Sequence, residues 1–142
     1  MEMPTQRVRN NDGALLHEIV HIYAPNDNRF LAEGLAVYLQ DKMGGNGAFP
    51  NFGRNLNVSA RQRLSEVNSL TRLNSVQTPR PLSTVANERT AYILAGSFVA
   101  FLIEKYGLPH FKTLYETGDY GTVYGKSLQV LEKEWRSALE GK

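Results

Sequence analysis

The sequence predicts a single, mainly α-helical domain, and three observations predict it. Apolar residues recur at helical spacing along most of the chain. Capping residues stand ahead of these runs and glycines close them. No stretch alternates with the period of two that a half-buried strand requires. The 142 residues suit one domain, and 42% hydrophobic with 21% charged residues is ordinary globular usage, enough to bury a core without staples.

In chain order, residues 1–10 carry no periodicity and are expected to lack regular order. Asn11 or Asp12 then caps a helix over 13–23, GALLHEIVHIY, which stops before Pro25. Asp27 or Asn28 caps a second helix over 29–43, RFLAEGLAVYLQDKM, closed by Gly44 and Gly45. The Gly/Asn-rich stretch 44–57 has no pattern. Ser59 with Gln62 reads as a capping box for a short helix ending near Leu70. The span 71–83, marked by Pro79 and Pro81, is expected to be loop. A long apolar helix covers 85–106, ended by Gly107 and Pro109. A short helix covers 110–116, the residues GDYG form a turn, and a last helix over 122–139 sets Val123, Leu128, Leu131 and Trp135 on one side.

Composition excludes several functions. There is no cysteine, so neither a disulfide framework nor a thiolate metal site exists, and any zinc must be held by His, Asp, Glu and water. The net charge is +2 and the basic residues are scattered; Arg7 with Arg9 and Arg61 with Arg63 read as solvated surface, which argues against nucleic-acid binding. No apolar run is long enough to span a membrane, and the opening MEMPTQRVRNNDG has no apolar core of a signal peptide.

The informative segment is HEIVH. On a helix, positions i and i+4 share a face, so His17 and His21 point the same way and two imidazoles can reach one zinc. Glu18 flanks that face, within reach of a water on the metal without being a ligand itself. After eleven intervening residues comes Glu33, on the next helix. A tight turn permits antiparallel packing of the two helices, which brings Glu33 beside the histidines as a third ligand; the competing reading is a solvent-facing glutamate. Gly34 adjoins it, and a glycine inside a helix costs about 1 kcal/mol against Ala, which a close helix approach would explain. Two histidines and one glutamate leave a fourth position open to water, as in catalytic rather than structural zinc sites. On the long helix, Glu88, Tyr92, Gly96 and Val99 fall on one side. His110 and the tyrosines of YETGDYGTVY read as surface and packing residues.

HEIVH followed by AEGLAVY resembles the gluzincin zinc metallopeptidases, especially the bacterial peptidase MA-like group. The likeness continues through AYILAGSFVAFLIEKYG at 91–107 and VYGKSLQVLEKEW at 123–135, and so spans most of the chain. It implies a zincin-like helical domain with an active-site helix, a third-ligand helix and C-terminal helices. It also implies zinc held by His17, His21 and Glu33, Glu18 as general base, and peptide or protein substrates. Tyr92 would stand near the oxyanion of the tetrahedral intermediate, the alternative being a core tyrosine; Glu88 would support the ligands or rival Glu33 for the metal. Two departures stand out. Many gluzincins carry Asp four residues after the third ligand to orient a histidine, and here that residue is Val37. Only sixteen residues precede His17, so the substrate-binding β-sheet of these enzymes is expected to be missing here or supplied by a partner. The expected function is zinc-dependent hydrolysis of peptide bonds. The rival classes are a zinc-bearing or degenerate peptidase fold used as a binding module, and a plain helical interaction domain without metal.

Overall fold

The computed structural model describes residues 26–42 and 54–141. The expected disorder of residues 1–10, the helix over 13–23 with His17, Glu18 and His21, and the glycines at 44 and 45 all lie outside the described residues. Within them the chain is helical: α1 (Arg29–Lys42), α2 (Leu56–Arg63), α3 (Leu70–Asn74), α4 (Glu88–Tyr106), α5 (Leu108–Thr117), α6 (Tyr120–Tyr124) and α7 (Leu128–Leu139), with single 3-10 turns at Leu64–Glu66 and Leu82–Thr84. No strand forms among the described residues; one isolated antiparallel bridge joins Asn28 to Gln77. No described helix is long and apolar enough to cross a membrane.

α4 is the central element because its sequence is apolar on nearly every side. Ile93, Leu94, Ala95, Phe98, Val99 and Leu102 are fully buried, as expected for a helix wrapped by others. α1 packs along one side of it, α2 and α7 along another, and α5 folds back at its end. Phe98 anchors the middle, with ring centroids 5.7 Å from both Phe30 on α1 and Trp135 on α7. The Trp135 indole N–H donates to Ser97 Oγ at 2.9 Å, which satisfies the polar tip of an otherwise buried ring.

The seam between α1 and α4 is unusually close, and two glycines make it so. A methyl group at Gly34 would stand 2.6 Å from Val99 Cγ2 and 2.7 Å from the Ala95 carbonyl oxygen. A methyl group at Gly96 would stand 2.3 Å from Val37 Cγ1. Each glycine therefore receives a valine from the facing helix. The close approach anticipated at Gly34 is thus made to α4. Of the face Glu88, Tyr92, Gly96 and Val99, the last three are turned toward α1, and Glu88 is exposed.

Several boundaries differ from the sequence reading, each for a local reason. α2 is capped by Asn55, whose side chain accepts from the Val58 N–H at 3.0 Å, so Ser59 is a buried helix residue and no capping-box residue. The helix expected to end near Leu70 stops at Arg63 and passes into a 3-10 turn, and Ser69 caps α3, which runs from Leu70 into the span 71–83 expected to be loop. α4 begins at Glu88, three residues later than expected, because Asn87 accepts from the Thr90 N–H. The GDYG turn is confined to Gly118 and Asp119; Asp119 accepts from the Thr122 N–H and opens α6 at Tyr120. The last helix is two helices, since Gly125 adopts a left-handed φ of 68° that ends α6 before Ser127 caps α7.

Candidate functional site

Of the residues singled out in the sequence, Glu33 and Tyr92 lie among the described residues and His17, Glu18 and His21 do not. Glu33 sits on the second turn of α1, partly buried. The start of that helix is held firmly. Asn28 Oδ1 accepts from the Leu31 N–H at 2.9 Å as the N-cap, while its Nδ2 donates to Asn74 Oδ1 at 3.1 Å. Tyr120 Oη donates to the same Asn74 oxygen at 2.9 Å, and Asn26 Nδ2 donates to the Tyr115 carbonyl at 2.7 Å. The Arg29 N–H donates to the Val76 carbonyl at 3.0 Å. Side chains of α3 and α6 and a backbone carbonyl of α5 thereby fix where α1 begins, and the Gly34 contact fixes how near it runs to α4.

Across that seam stands Tyr92, on the second turn of α4 and half-buried. Partial burial raises the pKa of its phenol, and the neighbouring carboxylates of Glu33 and then Glu88 raise it further, against a smaller opposing effect of the Arg29 guanidinium. Those four side chains therefore share one local field. A tyrosine phenol carries its proton at neutral pH in any case and can donate a hydrogen bond; the raised pKa makes it a poorer acid still. Glu88 occupies the first turn of α4, where a negative charge also suits the helix N-terminus.

Arg29 is the partner the sequence reading missed. Its guanidinium Nη2 pairs with Glu33 Oε2 one turn along α1. The i, i+4 spacing of Arg29 and Glu33 was the available signal. Val37, standing where an orienting aspartate was sought, is buried and packs over Gly96, so helix packing rather than polar support determines that residue. His110 is exposed and stacks on Tyr124, with centroids 6.0 Å apart. The neighbouring Tyr115 and Tyr120 are buried, as packing residues should be.

The donor set can be tested for its fit to zinc. A glutamate carboxylate is a suitable oxygen ligand, and Arg29 engages it at Oε2. Among the described residues no three His, Asp or Glu side chains come together as a metal site. His17 and His21, the other ligands expected from the sequence, lie outside the described residues. Comparison of the chain with protein-family profiles, curated proteins and solved structures finds no match, so the chemistry of these residues is the ground on which a function must be argued.

Proposed function

We propose that this chain is a zinc-dependent peptidase domain in which His17, His21 and Glu33 hold the metal and Glu18 is the general base. One observation carries the reading: the HEIVH segment is followed by a glutamate whose carboxylate acts on the phenol of Tyr92, the residue singled out for the oxyanion. Bound zinc would supply Lewis acidity, polarising the scissile carbonyl and making water easier to deprotonate. Glu18 takes a proton from the attacking water and delivers it to the leaving amine as the C–N bond breaks. Tyr92, protonated at neutral pH, donates a hydrogen bond to the carbonyl oxygen as negative charge grows there. Arg29 pairs with the Glu33 carboxylate one turn along α1 and would help orient it.

The test is metal content by mass spectrometry together with turnover of a generic peptide substrate. The expected result is about one zinc per chain, lost in His17→Ala and in Glu33→Ala. Glu18→Gln should keep the metal and lose hydrolysis. Turnover surviving in Glu18→Gln would overturn the mechanism. Zinc retained with no turnover of any peptide would move the protein to the binding-module class, and no zinc even in excess metal would leave the motif inert.

A further inference from the structure

At the far end of α4 from Tyr92, a groove runs between α2, α4 and α7. Asn57, Val58 and Arg61 form one wall, Phe101 and Lys105 the floor, and the last turn of α7 the other wall, around a cavity of about 350 Å³. A second depression shares Phe101, Lys105 and Ala138 with the first and continues past Val130 and Lys133. The thirteen residues from Tyr92 to Lys105 span about 20 Å of helix, so the groove is separate from the candidate site.

Two features give the groove a binding character. The large apolar side chains that the described surface leaves exposed, Val58 at 39% and Val130 at 44%, both lie on it. Its charge is also unbalanced. The carboxylates in its lining are already engaged, Glu104 by Lys42 at 3.2 Å and Glu134 by Lys126 at 2.6 Å and Lys105 at 3.2 Å. Arg61 and Lys133 have no such carboxylate among the described residues and leave the rim positive. The Lys105 ammonium lies 5.4 Å from the Phe101 ring centroid, so the floor offers cation and aromatic face together.

We infer that this groove docks an acidic amphipathic helix of a partner protein, whose apolar residues seat along Val58, Phe101 and Val130 while its carboxylates face Arg61 and Lys133. An apolar seam with a charged rim is how amphipathic helices are received in grooves, with anchors at i, i+3 or i+4, and i+7. The rim charge selects the sign of the partner and makes the association salt-sensitive. The inference does not depend on zinc or on peptidase activity.

The probe is a synthetic helical peptide with leucine at those anchor spacings and glutamate elsewhere, beside a control with lysine replacing every glutamate. Trp135 is the single tryptophan and borders the groove, so its emission reports binding of a tryptophan-free peptide. The acidic peptide should bind, weaken as salt rises, and lose about tenfold or more in affinity in Lys133→Glu and in Val130→Glu. Both substitutions fall on exposed residues, and an unchanged melting temperature verifies the fold. Equal binding of the two peptides, no binding of either, or unchanged affinity in Lys133→Glu would overturn the inference. Concentration-dependent dimerisation abolished by Val130→Glu would also overturn it, assigning the groove to a second copy of the chain.

Discussion

Replacing Gly34 with Ala should destabilise the protein even though alanine is the better helix former. The added methyl would stand 2.7 Å from the Ala95 carbonyl oxygen, whereas ordinary contact begins at 3.4 Å, so the helices must separate by about 0.7 Å there. Val99 Cγ2, at 2.6 Å, can turn away, but a backbone carbonyl cannot, which puts the cost near the top of the ~1–3 kcal/mol range for overpacking. Helix propensity returns about 1 kcal/mol. The net loss is about 2 kcal/mol, equivalent to a fall in Tm of roughly 5–8 °C for a chain of this size. Gly121 provides the contrast. It lies in α6, and a methyl group there would meet nothing nearer than Asp119 Oδ1, at 3.6 Å. Gly121→Ala should therefore raise stability by up to about 1 kcal/mol. Thermal and urea unfolding followed by circular dichroism would compare the two. A Gly34→Ala protein as stable as the parent would refute the claim that this seam is too tight for a side chain. Because Glu33 is the adjacent residue, the same variant should also retain less zinc under the proposed function.

Ser97→Ala should cost about 1–3 kcal/mol, because it leaves the buried Trp135 indole N–H without its acceptor; urea unfolding monitored by Trp135 emission would measure it, and a neutral result would mean water replaces the hydroxyl. Glu134 predicts a pH dependence. Hydrogen bonds from Lys126 and Tyr106 lower its pKa from 4.5 to about 2, so its contribution to stability is complete above pH 4.5 and is lost as pH falls towards 2. Glu134→Gln should flatten the acid limb of a Tm-against-pH curve in that window, and an unchanged limb would show that other carboxylates set it. Glu132→Ala should be more damaging than either, since the buried carboxylate accepts from the Leu70 N–H at 3.0 Å and from Arg136 Nε at 2.8 Å; the loss, about 3–5 kcal/mol, would appear as a lowered urea midpoint.

Much of this molecule is readable from the chain because the signals are local. Periodicity locates α1, α4 and α5 to within a few residues, and for α1 the capping residue does so too, since an apolar stripe and an Asn side chain act over one or two turns. The boundaries misread from sequence fail for equally local reasons: the Ser59 capping box lost to the better-placed Asn55, and Gly125 divided a pattern that looked continuous. The HEIVH spacing and the glutamate that follows it are likewise visible in sequence, because residue type and spacing are local properties of the chain.

Other properties belong to the tertiary structure alone. Nothing in the order of residues says that Gly34 faces Ala95 and Val99, or that Gly96 receives Val37; only the crossing of α1 and α4 pairs them. Burial of Tyr92 raises its phenol pKa first, and that crossing adds the Glu33 carboxylate, a residue far away in the chain, which raises it further. The anchoring of α1 through Asn28, Asn74 and Tyr120 is similarly a convergence of three distant side chains. The sequence by itself determined the helices and the chemical types of the candidate ligands, because both depend on neighbours within a few residues. The distances between helices, and with them the field around Glu33 and the groove beside Trp135, were decided by packing, since close approach is a property of two surfaces and not of either alone.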